Sequence, residues 1–597
     1  MADANGANAA NLLSKMQKVW GPGPLHKARL KGPAPDRLYL QPDYPRTPDL
    51  ELGDAFLSGS VQYNGQKVKA SAELDDFWKL LPSDGPLYGL AHGFSWLGAL
   101  EEAAEQAADE VDAGAAARRY ISGWLDEYEK WSPDVWSPRF VAERLTHWCC
   151  HGELILKGGD ALWRSRVLTS MARQARHLAQ VAHKARPGND ALMSALGLCL
   201  AGLCLPACEV AMERGQELLR RELRLQIRSD GGHISRSPTT QLEFVIRLQM
   251  VAKAYGERGL PVPGYMRLAL SRGAAMVQFY RIGDGGLALF NGGYEEDRRA
   301  IIAASEALEE DTTPVGFARY TQYQRMSAAR AVVIADIASG TEKGPGQKGK
   351  RFESPGSFHF STGRIRMVTN CGSGDHLGGD WRKALRQGAA HSTLSFEGLP
   401  ERTASLFSGQ TIHQRAEEVS GILVEIIRPF AEQPAVPQAG APVQDDAHEP
   451  IMDASPIADQ TDSQMGPQTE ELAGWHRRLY LSAGGDDLRG EDRIIALPEA
   501  LRAHWRFRFH LHPEVKASLA RDEQSVILVL PNQEGWRFRT NFRGVRLENS
   551  LYTGAGGAPV STSQIVLGLP DGALSGLDRG DSHDIILKWA FRRLDGI

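Results

Sequence analysis

The sequence has 597 residues, of which 42% are apolar and 24% are charged. This composition is typical of globular chains, and the length suffices for roughly two to four domains. The formal net charge is only -5, so no global positive field draws the protein to nucleic acid or to an anionic membrane. No apolar run approaches the roughly 18 to 20 residues of a membrane span. We therefore predict no nucleic-acid partner and no membrane span, and any anionic ligand must be held by a local cluster.

The start of the chain and the cysteines bear on the compartment. The first 35 residues lack the basic start, apolar run and cleavage site of a secretory signal. We expect a cytoplasmic location, with the periplasm or cell envelope as the alternative. Six cysteines show no paired spacing that could cage zinc, and the sequence predicts that they are buried, reduced thiols: Cys149, Cys150, Cys199, Cys204, Cys208 and Cys371.

The first half of the chain is predicted to be helical. After an N-terminal extension and lead-in at residues 1–85, apolar residues recur at three-to-four spacing from about residue 86 to 308, as in 115–131, 140–156, 160–185 and 242–255. Serine–proline pairs such as Ser137-Pro138 and Ser237-Pro238 are typical helix starts. The pattern predicts roughly ten helices joined by short turns, as in helical hairpins.

After residue 328 the sequence changes to short β-branched and alternating runs. They include 331–335, 358–361, 364–369, 421–427, 525–530 and 584–589. Helices followed by strands indicate two packed domains rather than one alternating domain, which we place at 86–328 and 329–597. Two low-complexity stretches within the second domain, 340–350 and 431–470, predict unstructured surface loops. The longer one is either a disordered insertion or a mobile lid.

Short motifs in both halves occur in the order found in one protein family. The second half contains Val368-Thr-Asn-Cys-Gly372, Trp381-Arg382 and Gly388-Ala-Ala-His-Ser-Thr-Leu394, and the first half contains Gly188-Asn189 and Asp230-Gly-Gly-His233. With these motifs the chain resembles the bacterial heparinase II/III family, in its alphaproteobacterial-type branch. The resemblance implies an α+β multidomain fold, an incomplete α/α toroid followed by an antiparallel β-sandwich, and an acidic polysaccharide or oligosaccharide as partner.

The resemblance also implies a carbon–oxygen lyase that cleaves a uronate-containing glycan by β-elimination. That reaction requires a group that stabilises the charge on the uronate carboxylate, a base for the C5 proton and an acid for the departing oxygen. Asn189 matches the asparagine that serves the carboxylate in the family. The tyrosine and histidine of the family's Ser-Pro-x-Tyr-His stretch are replaced by Thr240 and Gln241. The alternative is therefore a non-catalytic glycan-binding protein, or one acting in envelope-glycan biosynthesis, on the same scaffold.

Seven residues are the candidate site. Asn189 and His391, which match family positions, are predicted to be catalytic, as is His233, which follows the Asp230-Gly-Gly turn leading toward Arg236 and Gln241. Gln241 is predicted to bind a sugar hydroxyl, Trp96 to stack on a sugar ring, and Arg236 and Arg382 to bind a carboxylate. For each of them a purely structural role is the alternative. Some relatives hold zinc through a cluster of histidine and aspartate, but His391 is followed by Ser392 rather than an acid. Zinc or another divalent ion is therefore only an alternative, and no metal ligand is assigned.

Overall fold

The computed structural model describes residues 24–71, 74, 76–107, 112–308, 313–339, 352–398, 406–408, 411–431, 472–568 and 584–594. The predicted loop at 340–350 lies outside these residues, and so does the predicted insertion at 431–470 apart from Ala431. By their contacts the residues form two compact units. The first takes the chain up to Ile227 with Glu243–Ser271 and Ile302–Ala307, and the second takes Arg228–Leu242, Arg272–Ile301 and the chain from Leu308 onward. The domain limits predicted at residues 85 and 328 stay predictions.

The described helices nearly all precede the long sheets. They are α1 (Pro24–Arg29), α2 (Leu50–Leu57), α3 (Phe77–Leu80), α4 (Pro86–Gly93), α5 (Leu97–Gln106), α6 (Ala113–Tyr128), α7 (Pro138–Cys150), α8 (Gly152–Leu156), α9 (Ala161–Val181), α10 (Asn189–Cys204), α11 (Glu209–Gln226), α12 (Pro238–Glu257), α13 (Gly264–Tyr280), α14 (Arg298–Ser305) and α15 (Gly379–Ala384). No helix among the described residues has the length and apolar character needed to cross a membrane.

Local sequence explains where these helices begin. Asp112 and Asp160 accept hydrogen bonds from the first-turn amides of α6 and α9, as N-cap residues do. At α7, by contrast, Ser137 makes no side-chain cap and the helix begins at Pro138, whose fixed φ suits the first turn. The predicted helix at 140–156 is wrong in one respect, because the chain breaks at His151 and continues as α8. All six cysteines are buried and free, which confirms that prediction.

The strands are antiparallel throughout. They are β1 (Ser60–Tyr63), β2 (Gln66–Lys69), β3 (Phe317–Ala318), β4 (Tyr323–Ala328), β5 (Ala331–Asp336), β6 (Phe358–Thr362), β7 (Ile365–Thr369), β8 (Leu394–Phe396), β9 (Ile412–Glu418), β10 (Gly421–Pro429), β11 (Gly474–Ser482), β12 (Asp487–Ile495), β13 (Trp505–Leu511), β14 (Lys516–Leu519), β15 (Ser525–Val529), β16 (Gly535–Thr540), β17 (Arg546–Tyr552), β18 (Val560–Leu567) and β19 (Ile585–Arg593).

Two large sheets in the second unit form a sandwich. One has eight strands in the order β14-β15-β16-β19-β12-β11-β10-β9, and the other has nine, ordered β17-β18-β13-β7-β6-β5-β4-β3 with β8 paired to β13. Their inner faces share one apolar core, in which Phe358 of β6 stacks on Trp589 of β19 with ring centroids 5.6 Å apart. The all-β nature predicted for this half is therefore confirmed, and the outer face of the nine-stranded sheet is left for polar residues.

Candidate functional site

The outer face of the nine-stranded sheet carries buried polar side chains. Strand β13 turns Phe507 and Phe509 into the core, so alternation along the strand places Arg508 and His510 on the opposite face. His359 of β6 is also buried and lies on that outer face, since its neighbours along the strand belong to the core. Polar groups enclosed in this way require hydrogen-bond partners.

Residues 282–297, here called the covering segment, supply several of these partners. The backbone N–H of Leu289 donates to Nε2 of His359 at 2.9 Å. Nε of Arg366 donates to the Asp284 carboxylate at 2.7 Å, and Nδ2 of Asn370 donates to the Leu289 carbonyl at 2.9 Å. The covering segment is thereby fixed on strands β6 and β7.

His391 is buried in the second unit. It follows the short 3-10 turn Gly388–Ala390, its residue surface is only 2% exposed, and neither ring nitrogen has a hydrogen-bond partner. The ring makes an edge contact with Phe352, with centroids 6.1 Å apart. Burial lowers the pKa of His391 to about 3, so the imidazole is neutral at physiological pH. The imidazole is thus almost entirely enclosed by protein, and its catalytic role stays a prediction.

His233 and Gln241 contact each other, but the amide of Gln241 is fully engaged. Its Oε1 accepts from the backbone N–H of His233 at 2.7 Å, and its Nε2 donates to the carbonyls of Gly231 and Gly273 at 3.0 and 2.9 Å. Gln241 therefore holds the turn before α12 through these three hydrogen bonds, and its substrate-binding role stays a prediction. His233 is also buried, with Nδ1 2.8 Å from the Ser235 hydroxyl. Burial, with a smaller effect of Arg228, lowers the pKa of His233 to about 3.

Arg236 is occupied by a carboxylate of the protein itself. Its Nη2 lies 2.5 Å from the buried Asp336 carboxylate, and its guanidinium lies 4.5 Å from the centre of the Tyr323 ring. Its Nε donates to the Thr321 carbonyl at 2.9 Å. Burial opposes the charge, but Asp336 outweighs burial and raises the pKa of Arg236. Releasing the guanidinium to a ligand would leave Asp336 buried and unpaired, and the substrate contact of Arg236 stays a prediction.

Arg382 is the predicted ligand-binding residue that the structure leaves accessible. It lies on α15 with its side chain 44% exposed, and its Nε is 2.8 Å from Asp375. Trp381 beside it is 38% exposed, which is unusual for an aromatic ring. Arg386 also reaches Asp375, at 3.4 Å. An exposed indole beside two guanidiniums is a surface on which a sugar ring and an acidic group can both be held.

A tyrosine–histidine pair adjoins this surface, and neither residue is among the seven predicted site residues. The hydroxyl of Tyr294 in the covering segment lies 2.8 Å from Nδ1 of His376. Because Nε2 of His376 is 2.8 Å from the Gly557 carbonyl, Nε2 carries the proton and Nδ1 accepts from the tyrosine. Both side chains are half-buried. The backbone N–H of Tyr294 donates to the hydroxyl of Thr239 at 2.9 Å, so the pair lies next to the turn in which the family's tyrosine was expected.

The residue after Tyr294 belongs to a second titratable cluster. The Tyr552 hydroxyl donates to the Glu295 carboxylate, and Nε2 of His512 lies 3.5 Å from the same carboxylate. Burial raises the pKa of Glu295, but the His512 hydrogen bond and the Arg366 charge outweigh burial and hold it at about 2. Glu295 is therefore ionised at neutral pH. No periodicity or spacing in the sequence marks the Tyr294–His376 pair or this cluster, since their members come from separate parts of the chain.

Asn189 and Trp96 lie in the first unit. Asn189 is the first residue of α10, after the N-cap Gly188, and its side-chain oxygen is buried without a hydrogen-bond partner. Its role with a carboxylate stays a prediction. Trp96 is fully buried and stacks on Phe56 with centroids 4.2 Å apart. Trp96 packs in the core in this structure, and its contact with a sugar stays a prediction.

The histidine, cysteine and acidic side chains of the described residues do not form a metal-binding cluster. His510 is bonded through Nδ1 to the Ser550 hydroxyl and through Nε2 to the Ala389 carbonyl, at 2.7 and 3.0 Å. Within the described part of the chain no three histidine, cysteine or acidic side chains come together as a ligand set. Zinc or another divalent ion stays an untested alternative, and no ligand is assigned to it.

Comparison with known families and folds agrees with this architecture. Residues 310–573 match the family model described as heparinase II/III-like, C-terminal. A crystal structure of heparinase III has a TM-score of 0.63 at 15% identity, covering 96% of this chain and 89% of that one. A heparan sulfate lyase from Pedobacter heparinus has a TM-score of 0.56 at 14% identity, covering 96% and 87%. At these identities the likeness is one of fold: an α/α toroid followed by a β-sandwich, as predicted.

A curated relative extends the similarity over nearly the whole sequence. FtsZ-localized protein C of Caulobacter vibrioides is 28% identical over 586 residues, covering 94% of this chain and 92% of the relative. A Caulobacter relative is consistent with the alphaproteobacterial branch. Residues 310–573 thus match the heparinase II/III-like C-terminal model, and the chain as a whole has the fold of heparinase III.

Proposed function

We propose that the chain is an FtsZ-localised protein that binds an acidic glycan on its polysaccharide lyase-like scaffold. The observation that carries the first part is the similarity to FtsZ-localized protein C, which extends over 94% of this chain and 92% of the relative. A match of that extent includes both compact units, so it is not the sharing of one common domain.

The glycan-binding part is supported by the exposed surface around α15. Trp381 offers an accessible aromatic face and Arg382 a guanidinium, beside the half-buried Tyr294 and His376. By contrast, His391 and His233 are enclosed, so the surface is better equipped to hold an acidic sugar than the predicted pair is to cleave one. A cytoplasmic location remains part of the proposal, with the periplasm as the alternative that cell fractionation distinguishes.

Light microscopy tests the FtsZ part. A fluorescent fusion of the full chain should form a band that coincides with FtsZ at the division site, and the band should disperse when FtsZ is depleted. The fluorescent protein alone is the control. A diffuse fusion, intact by immunoblot, in cells with normal FtsZ bands would contradict the proposal.

Calorimetry tests the glycan part. Heparan, hyaluronan, alginate and polyglucuronate oligomers should include at least one ligand for the purified protein. The substitutions Trp381→Ala and Arg382→Gln should each weaken binding, because they remove the stacking face and the charged donor. Arg164→Gln is the control, since Arg164 lies on the first-unit helix α9 and donates to the Gly159 carbonyl. Absence of binding across the panel would reject this half of the proposal.

A second candidate function, β-elimination of the bound uronate glycan, is favoured by the Tyr294–His376 pair. The phenolic oxygen of Tyr294 can take the C5 proton while its own proton passes to Nδ1 of His376. The C4–oxygen bond then breaks, a C4=C5 double bond forms, and the proton returns through Tyr294 to the departing oxygen. Arg382 and Arg386, both on Asp375, are the nearby charges that can stabilise the uronate carboxylate.

Ultraviolet absorbance of the unsaturated uronate tests this second function on the same oligomers. If absorbance rises, Tyr294→Phe should lower the rate by about 100-fold or more, because it removes the proton-transfer group. Tyr320→Phe is the matched control, since that tyrosine belongs to the same unit and is 37% exposed. Binding without any rise in absorbance would reject elimination and leave the glycan-binding proposal standing.

A further inference from the structure

The first unit contains an ion cluster that plays no part in the proposals above. It consists of Arg46, Arg139, Glu143, Glu243 and Arg247, here called the α7–α12 cluster. Glu143 is bound on both sides, by Nη2 of Arg139 at 2.7 Å and by Nη2 of Arg247 at 2.6 Å. Glu243 is bound by Nη2 of Arg46 at 2.7 Å and by Nε of Arg247. Two helices and the segment before α2 are thereby joined through charged groups.

Three side chains at Glu143 keep nitrogen atoms without partners. Nη1 of Arg139 and Nη1 of Arg247 are both buried and make no hydrogen bond. In both guanidinium groups the other terminal nitrogen, Nη2, binds Glu143. Both ring nitrogens of His147 are also buried and unpartnered, and Nε2 lies 3.9 Å from the Glu143 carboxylate. Because buried donors are nearly always satisfied in native proteins, three such side chains around one carboxylate indicate a ligand position.

The charges of the cluster favour an anion. Three guanidiniums face two carboxylates, which leaves one positive charge among the five groups. Although burial opposes their ionisation, the neighbouring arginines lower the pKa values of both Glu143 and Glu243, so both carboxylates are charged at neutral pH. Burial lowers the pKa of His147 to about 3. His147 is therefore neutral and offers one N–H as a donor.

Two arginines of the cluster are partly exposed to solvent. The side chains of Arg139 and Arg46 are 33% and 26% exposed, whereas those of Arg247 and His147 are 5% and 1% exposed. A small ligand can thus approach past Arg139 and meet donors that are already desolvated. Guanidinium groups suit this purpose, because they bind oxyanions through parallel N–H donors.

We propose that the α7–α12 cluster binds an oxyanion through Nη1 of Arg139, Nη1 of Arg247 and a ring N–H of His147. The shared chemistry is that of a phosphate ion or of the carboxylate of an acidic sugar. The residues of this site belong to the first unit, and none of them belongs to the Trp381 surface.

Thermal unfolding and calorimetry of the full-length protein test the site with two probes, inorganic phosphate and glucuronate. At constant ionic strength, at least one probe should raise the unfolding temperature in a saturable manner. Arg139→Gln should weaken that probe's affinity by about tenfold or more, because one donor pair is lost while Arg247 still neutralises Glu143. Arg173→Gln is the matched control: Arg173 lies in the same unit, its side chain is 37% exposed, and it pairs with Glu129 at 2.9 Å.

The two arms distinguish the source of the ligand. Saturation by glucuronate alone supports an acidic sugar, and saturation by phosphate supports the free ion. No saturable shift with either probe, or equal shifts in the wild type and a folded Arg139→Gln variant, would overturn the proposal and mean that water satisfies these nitrogens. Because the Trp381→Ala variant should keep this binding, failure here is separable from failure of the glycan-binding proposal.

Discussion

The substitution Asp492→Asn should destabilise the β-sandwich strongly. Asp492 of β12 is fully buried, and its carboxylate accepts four hydrogen bonds. Nε1 of Trp475 and Nε of Arg477 donate to one oxygen at 2.9 and 2.7 Å, while Nη2 of Arg477 and Nε1 of Trp589 donate to the other at 2.9 and 2.8 Å. These groups connect β11, β12 and β19 in the centre of the eight-stranded sheet.

The expected magnitude follows from this geometry. Asparagine is isosteric, but it removes the charge that compensates Arg477, which is 1% exposed. It also places an amide NH₂ opposite one pair of N–H donors. Removing one partner of a buried ion pair costs about 3 to 5 kcal/mol, much of it because the remaining charge is left uncompensated. Stabilisation by the intact pair itself is a different quantity and can be close to zero.

Urea unfolding followed by tryptophan fluorescence measures the effect, since Trp475 and Trp589 both contact Asp492. The control is Glu153→Gln, which breaks an exposed pair with Lys157 at 3.2 Å and should cost about 0.5 kcal/mol or less. If Asp492→Asn costs no more than this control, the carboxylate is not what holds the three strands. If the substitution instead changed only the unfolding of the first unit, the effect would not come from the β-sandwich, and the reasoning would be refuted.

Three further substitutions test other parts of the structure. His391→Gln should flatten the pH dependence of stability, because between the ordinary pKa of 6.5 and the folded pKa of about 3 the unfolded chain binds a proton that the folded protein does not. On acidification the wild type should therefore lose up to about 1.4 kcal/mol more of its free energy of unfolding per pH unit than the variant. Equal losses in the two proteins between pH 7 and pH 5, measured by urea unfolding, would contradict this. Gln241→Ala should lower the free energy of unfolding by at least about 2 kcal/mol, because the His233 N–H loses its acceptor; an unchanged urea midpoint would show that water replaces the amide. Gly490→Ala should displace Trp589, since a Cβ at Gly490 would lie 2.0 Å from that indole, and near-ultraviolet circular dichroism identical to wild type would be the contrary result.

Most of the fold could be predicted from the sequence because the apolar pattern determines which side of each element is buried. The runs at 331–335 and 358–361 became β5 and β6 almost residue for residue, since their apolar residues turn into one shared core. The helix predicted at 140–156 failed at one point only, where His151 departs from helical dihedrals with φ -111 and ψ 33. Nothing in the 3.6-residue period reports a local break of that kind.

The site could be predicted less well, because chemistry at a site depends on which loops meet. Resemblance directed attention to Gln241 and Arg236, yet each is committed to a backbone carbonyl or to the Asp336 carboxylate. A motif gives the residue type at a position but not the partner that the fold places beside it.

The Tyr294–His376 pair illustrates the converse. Its members are separated along the chain and share no pattern, and the pair forms only because Thr239 holds the backbone of Tyr294 while the Gly557 carbonyl fixes the tautomer of His376. Thr239 immediately precedes Thr240, the position at which the family's tyrosine is missing. The chain therefore lacks a tyrosine at the expected position in sequence but presents one at the adjoining position in space. Whether a family member with substituted motif residues can transfer protons is consequently decided by its three-dimensional contacts, and for this chain Tyr294→Phe is the substitution that decides it.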